Sequence, residues 1–226
     1  MLARFDSISG FSEPLASIEA DLATTRLNDG KLDRQGRLVF GTMDEAPERR
    51  PLGHVWVYDG ETEPRVLFGD ILISNSIAFS PDGRRMYFAD TPLKKIFVFD
   101  YDPRVGAIAN RRMFAEVGPE GGFPDGSTVD AEGYLWNAEW GGARVVRYSP
   151  DGRVDRVIPM PCSQITCCAF GGDDLSTLFV TSARNGLSDA ALATQPHAGA
   201  LFAVKVGVRG LVDTPFRGVK TALSRV

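Results

Sequence analysis

At 226 residues and 24.6 kDa the chain is long enough to bury a sizeable core, which excludes a disordered tail or a disulfide-stapled miniprotein. Its 25 Lys and Arg face 29 Asp and Glu, a net charge of −4, and the pI of about 5.3 offers no electrostatic footprint for a nucleic acid. No apolar run approaches the roughly 18–20 residues that span a bilayer, and MLARFDSISGFSEP lacks a basic segment followed by an apolar one, so a cytoplasmic protein with no membrane partner is expected.

Taken in chain order, the first 26 residues read as half a unit, in which LARFD resembles a third strand and SIEADL a fourth. Four hairpins follow, each an apolar strand, a turn carrying Asp and Gly, and a second apolar strand. They are LNDGKLDRQGRLVFGTM from Leu27, ISNSIAFSPDGRRMYFADT from Ile73, FPDGSTVDAEGYLWNAEW from Phe123 and QITCCAFGGDDLSTLFVTS from Gln164. After each comes a third strand of one design, HVWVYDG, KIFVFDYD, RVVRYSPDG and ALFAVKV, and then a fourth, VLFGD, RMFAEV, VIPMP and VDTPFRG. Helical periodicity is confined to Ser188–Gln195, enough for a turn or two, so the fold class is all-β.

Asp33, Ser80, Asp130 and Gly171 occupy the same place in the four turns, at spacings of 47, 50 and 41 residues. A four-stranded unit of that period hides both faces only by stacking on copies of itself around an axis, so the pattern predicts a β-propeller. The rival is a β-sandwich with long loops, but sandwiches do not repeat a four-strand unit in register. The count is about four complete four-stranded blades plus a partial one. A chain that starts in mid-blade closes imperfectly, self-associates through its uncovered blade edges, or is a fragment of a longer propeller, and the fragment is the favoured reading.

Sites in propellers form where the innermost strands begin. Five residues before each anchor stand Asn28, Asn75, Asp125 and Thr166, oxygen-bearing side chains at one place in four blades. They point to a shared ring at one mouth of the channel; the alternative is that they cap strand ends at turns. PDG occurs three times, and register separates the copies: Pro81–Gly83 and Pro150–Gly152 link strands, whereas Pro124–Gly126 precedes its blade's first strand and puts Asp125 in the ring. Asn and Asp oxygens suit a hard or borderline divalent cation, Ca²⁺, Mg²⁺, Mn²⁺ or Zn²⁺. Two ligands need a further carboxylate from another blade, and none of the four units offers one in register. Trp136, Trp140 and Phe123 flank the same mouth, where they stack on a ligand or pack between blades. Cys162, Cys167 and Cys168 make no disulfide framework, and His54 and His197 stand alone as loop or strand-end residues rather than zinc ligands.

RLNDGKLDRQGRLVFGTMDE, ISNSIAFSPDGRRMYFADT, GFPDGSTVDAEGYLWNAEWGGARVVRYSPDGR and ITCCAFGGDDLSTLFVTSA together resemble the gluconolactonase, regucalcin and senescence-marker-protein family of six-bladed propellers, over nearly the whole chain from Thr25 onward. The resemblance implies hydrolysis of a small-molecule sugar lactone, with a divalent metal at the top of the channel held by an N-terminal Glu, an Asn and an Asp. It assigns the metal ligands to Asn75 of ISN and Asp125 of FPDG, and substrate contacts to Arg26 and Asn28 of the RxND motif. Some members place a substrate-contacting Glu past GTM; direct counting reaches Ala46 there, and Glu45 is the candidate one residue short of it. The metal-binding Glu belongs to an EGP motif of the first blade, which this sequence lacks. Six blades of such length need about 290–300 residues, so the resemblance implies a single, incomplete propeller domain over residues 1–226.

The chemistry implied is metal-assisted hydrolysis of an aldonolactone, such as glucono- or arabinono-lactone, to the aldonic acid. The cation polarises the carbonyl, Asp125 accepts a proton from water, and Arg26 and Asn28 orient the sugar. The alternative is a truncated, weakly active or inactive calcium-binding propeller that serves as an interaction module. Which lactone is taken rests with the loops Asp44–Gly53 and Asn185–Gly199, which no pattern decodes.

Overall fold

Between the Asp- and Gly-bearing turns the apolar runs pair as antiparallel strands, because their alternation gives each strand two faces to bury. A computed structural model, which describes residues 1–218, gathers them into sheets arranged as the blades of a propeller around one axis. A hairpin of β1 (Leu2–Phe5) and β2 (Ser12–Ala16) comes first. The first blade holds β3 (Thr25–Leu32), β4 (Leu38–Asp44), β5 (Gly53–Tyr58) and β6 (Arg65–Ile71). The second holds β7 (Ser74–Phe79), β8 (Arg85–Asp90), β9 (Lys95–Asp102) and β10 (Ala107–Glu116). The third holds β11 (Phe123–Val129), β12 (Leu135–Trp140), β13 (Arg144–Tyr148) and β14 (Val154–Pro159). The fourth holds β15 (Ile165–Gly171), β16 (Thr177–Ser182) and β17 (Leu201–Lys205). Within each blade the strands pair in chain order, so the first strand of every blade lies on the same side of its sheet.

The cores lie between blades rather than within them. Val39, Val55 and Val57 of the first blade meet Ile77, Met86 and Phe88 of the second. Tyr87 and Ile96 of the second meet Leu135, Val146 and Tyr148 of the third, and Trp136 and Val145 of the third meet Ile165, Leu178 and Val180 of the fourth. The facing sheets cover one another's apolar side chains, which is the physical reason for the repeat.

The turn anchors are polar knots. Asp33 accepts from the N–H groups of Gln35 and Arg37 and from the guanidinium of Arg37 at 2.6 Å. Asp130 repeats the arrangement with the N–H groups of Glu132 and Tyr134, adding Trp136 Nε1 at 2.9 Å and Arg147 at 2.7 Å. In the second blade Ser80 takes the place of the Asp and accepts from Arg85 N–H.

Two strand expectations are corrected. VDTPFRG, expected as the fourth strand of the last blade, carries no strand, so the expected four complete blades are three of four strands and one of three. Its backbone and side chains find partners on the first blade instead. Arg217 N–H donates to the Gly36 carbonyl at 2.9 Å, Arg217 pairs with Asp59, Lys31 with Asp213, and Phe216 packs on Tyr58. Gly60 permits this approach, since its φ is +82° and a Cβ there would collide with Gly218. SIEADL likewise is a connecting loop, the preceding SEPL lying within β2 instead. Ile18 is buried, and the Glu19 carboxylate accepts from Thr42 Oγ1 at 2.8 Å and Trp56 Nε1 at 3.3 Å. The Ser188–Gln195 segment forms a short helix, α1 (Asp189–Thr194), capped by the Ser188 hydroxyl. None of the described helices is long and apolar enough to cross a membrane.

Candidate functional site

Every first strand is irregular at the place where the sequence predicts the ring. The pairing of β3 with β4 slips between Leu27 and Gly30, of β7 with β8 between Asn75 and Ala78, of β11 with β12 between Pro124 and Ser127, and of β15 with β16 between Ile165 and Cys167. A bulge inserts an extra residue and turns a side chain out of the alternating pattern. In the first three blades this places Asn28, Asn75 and Asp125 on one shared cavity. Gly126 makes the third possible, because a Cβ there would stand 2.5 Å from Cys167 Sγ on the next blade.

The cavity has a volume of about 400 Å³, within the range of small-molecule sites. Arg26, Asn28, Met43 and Arg49 come to it from the first blade, Asn75 and Thr91 from the second, and Phe123, Asp125 and Trp140 from the third. Asn28 Nδ2 donates to the Ser74 carbonyl at 2.9 Å and to Asn75 Oδ1 at 3.3 Å, while Asn75 Nδ2 donates to Thr91 Oγ1. Arg26 donates to Asn28 Oδ1 at 2.8 Å and to Glu45 Oε1 at 2.6 Å, so Glu45 is joined to the site through Arg26 rather than lining the cavity.

Thr166 does not join them. It is half-buried and shares a hydrogen bond with Thr181, outside the cavity lining, so the ring is carried by three residues. Trp140 and Phe123 line the cavity, but Trp136 is fully buried with its Nε1 on Asp130. It lies four residues from Trp140 along the same strand, about 13 Å away at the turn end of the blade. Neither histidine lines the cavity, and His54 Nδ1 sits 2.8 Å from Glu19 Oε1.

The structure adds residues that the pattern missed. Asp29, the second member of the first bulge, accepts from Gly30 N–H and from Ile77 N–H of the next blade, both at 2.8 Å. Burial pushes its carboxyl up to about 6, against those hydrogen bonds. Burial pushes the Asp125 carboxyl up to about 7, and the charge of Asp29 adds to the effect. The two carboxylates, from the first and third blades, thus share one field. The backbone of Asp125 is held from behind: Ser76, at φ +59°, donates its hydroxyl to the Asp125 carbonyl at 2.6 Å. Asn137 Nδ2 bridges Ser76 Oγ and Ser127 Oγ at 2.9 Å each. The sequence signal for Asp29 is its place beside Asn28; Ser76 and Asn137 carry none.

Among the described residues no side-chain donor satisfies the Asp125 carboxylate, and Asn75 Oδ1 receives only the 3.3 Å contact from Asn28. These unspent oxygens fit a hard divalent cation. Among the same residues no three His, Cys, Asp or Glu side chains converge as a group that could hold a metal ion.

The chain is thus a propeller whose polar cavity is lined from three blades. The chain is a member of the SMP-30/gluconolactonase/LRE-like family, whose model matches residues 1–184, in accord with the resemblance carried by RLND, ISN and FPDG. It is 46% identical over 219 residues to an L-arabinolactonase of Azospirillum brasilense, covering 96% of this chain and 72% of that protein. It is 38% identical to a 6-deoxy-6-sulfogluconolactonase of Pseudomonas putida, covering 94% and 73% of the two chains. Its fold matches that of a calcium-binding protein, regucalcin, from Agrobacterium tumefaciens with a TM-score of 0.90 at 37% identity, covering 95% of this chain and 72% of that one.

Proposed function

We propose that this protein is a lactone hydrolase that opens a sugar lactone to the corresponding aldonic acid, with a divalent metal as cofactor. The observation that carries the reading is the convergence of Arg26, Asn28, Asn75 and Asp125 from three blades on one cavity, in a chain whose relatives include two named lactonases. Asn75 and Asp125 would hold the cation, which when bound supplies Lewis-acid polarisation of the lactone carbonyl. Asp125 takes a proton from the attacking water; its carboxyl, pushed up to about 7, is near the basicity that favours proton transfer at neutral pH. Water oxygen bonds to the carbonyl carbon, the bond from that carbon to the ring oxygen breaks, and the ring oxygen leaves with a proton as the new hydroxyl. Arg26 and Asn28 orient the ring oxygen and hydroxyls, and Phe123 and Trp140 offer apolar faces to the sugar. A six-bladed ring is part of the same reading, supported by the 72% share of the arabinolactonase that the chain spans.

A non-hydrolytic calcium-binding role is the second reading, favoured by the name of the regucalcin structure. One experiment separates them. Chelator-treated protein is titrated with Ca²⁺, Zn²⁺ or Mn²⁺ while melting temperature and lactone-dependent acid release are followed. Hydrolysis requires both to rise; a thermal shift without acid release selects the second reading, and neither response refutes the metal-dependent site.

The support behind Asp125 gives a separate expectation. Asn137→Leu removes the amide that ties Ser76 to Ser127 and should cost about 1–3 kcal/mol of stability. Turnover should fall further than the folded fraction does, as measured by lactone kinetics beside thermal denaturation. Equal melting temperatures and rates would show the network to be idle.

A further inference from the structure

The loop between β4 and β5 is built to present one arginine. Asp44, buried at the end of β4, accepts from the N–H groups of Ala46 and Arg50 and from Arg50 Nε at 2.9 Å. Arg50 in turn donates to Thr24 Oγ1 at 3.0 Å, and Glu45 N–H to the Thr24 carbonyl at 2.8 Å. This clasp, with Arg50 foremost, holds the Asp44 carboxyl well below the usual carboxylate range. With Arg50 turned back onto Asp44, its neighbour Arg49 falls on the cavity side and lines it.

The two arginines of the cavity differ in what they have left to offer. Arg26 is engaged by Glu45, by the Leu27 carbonyl and by Asn28. Arg49 makes no hydrogen bond or ion pair among the described residues. Its guanidinium is an unspent, permanently charged fork at the first-blade wall, while Asp125 stands on the third blade, with the second blade between them. Arg49 and Asp125 line the same cavity, so a lactone held at Asp125 has the Arg49 side chain on the wall of the space it occupies. The named relatives include both an arabinolactonase and a sulfogluconolactonase, so the scaffold alone does not decide which far end is accepted.

We propose that Arg49 is a specificity-determining residue that binds a negatively charged group, carboxylate or sulfonate, at the end of the substrate remote from the lactone carbonyl, making acidic sugar lactones the substrate class. The proposal rests on the lactone hydrolase reading for the identity of the site. A guanidinium pairs with such a group through two parallel hydrogen bonds, and a site that provides them discriminates strongly against a ligand lacking their partner.

The test compares kcat/KM for D-glucaro-1,4-lactone, which carries a terminal carboxylate, and for a neutral 1,4-aldonolactone, in the wild type, Arg49→Gln and Arg49→Lys. The wild type should favour the charged lactone, and Arg49→Gln should lower the charged-to-neutral ratio by about 10- to 100-fold, with partial recovery in Arg49→Lys. A wild type that prefers the neutral lactone, or an Arg49→Gln variant that loses both in proportion, overturns the proposal. Calorimetric binding of D-glucarate to wild type and Arg49→Gln reads the same contact without turnover. If neither lactone is hydrolysed, the hydrolase reading fails, and equal glucarate affinities would reject the role of Arg49 independently.

Discussion

Asp125→Asn should abolish lactone hydrolysis and, at neutral pH and without metal, should raise the melting temperature. The loss should be about 10³-fold or more, since one side chain serves as metal donor and proton acceptor. The gain in stability follows from the raised carboxyl. Its ordinary value is 3.8 and its folded value about 7, so between those limits the folded chain binds the proton more tightly than the unfolded chain. Stability from this group is fully present below pH 3.8 and is lost as the pH rises toward 7. A neutral amide of the same shape escapes that loss. The variant should exceed the wild type by roughly 2 kcal/mol near pH 8, after discounting for partial solvent access. The difference should vanish toward pH 4. Thermal melts in chelator across that range check it, and a variant less stable than wild type at pH 8 would refute the burial account. Divalent metal should stabilise the wild type and leave the variant unmoved.

The largest loss of stability is expected at the turn of the third blade. Asp130 is fully buried and accepts from two backbone N–H groups, from Trp136 Nε1 and from Arg147 Nε and Nη2. Asp130→Ala leaves these donors without their acceptor in a buried setting, at a cost of about 3–5 kcal/mol. In a chain of this size that corresponds to about 10 °C in melting temperature. The comparison is Arg153→Ala, which breaks an ion pair whose side chains are 85% and 57% exposed. Solvent screens such a pair, so the change should stay within about 1 kcal/mol. Denaturation of both variants by urea checks the contrast; equal costs would mean that the knot at Asp130 contributes no more than the surface pair.

The blades were legible because their physics is local. Strand alternation and Asp–Gly turns act over a few residues, and the recurrence of Asp33, Ser80 and Asp130 marks knots that close within each turn. Counting from those anchors reached Asn28, Asn75 and Asp125, since a repeated backbone puts equal positions at equal heights along the axis. The same count carried Thr166 too far: its bulge is present, but its hydroxyl turns to Thr181. Trp136 was misplaced because counting along a strand does not say which end faces the ligand.

The sequence alone determined the all-β class, the blade repeat and three residues of the ring, because each follows from spacing within one unit. Only the tertiary structure decided what happens between units. Asp29 reaches across to Ile77 of the next blade, the chain from Val212 to Gly218 crosses to the first blade instead of finishing the fourth, and Asp44 turns Arg50 inward and leaves Arg49 at the cavity. Those outcomes depend on partners distant in the chain, and residue order carries no measure of how closely two distant segments will pack.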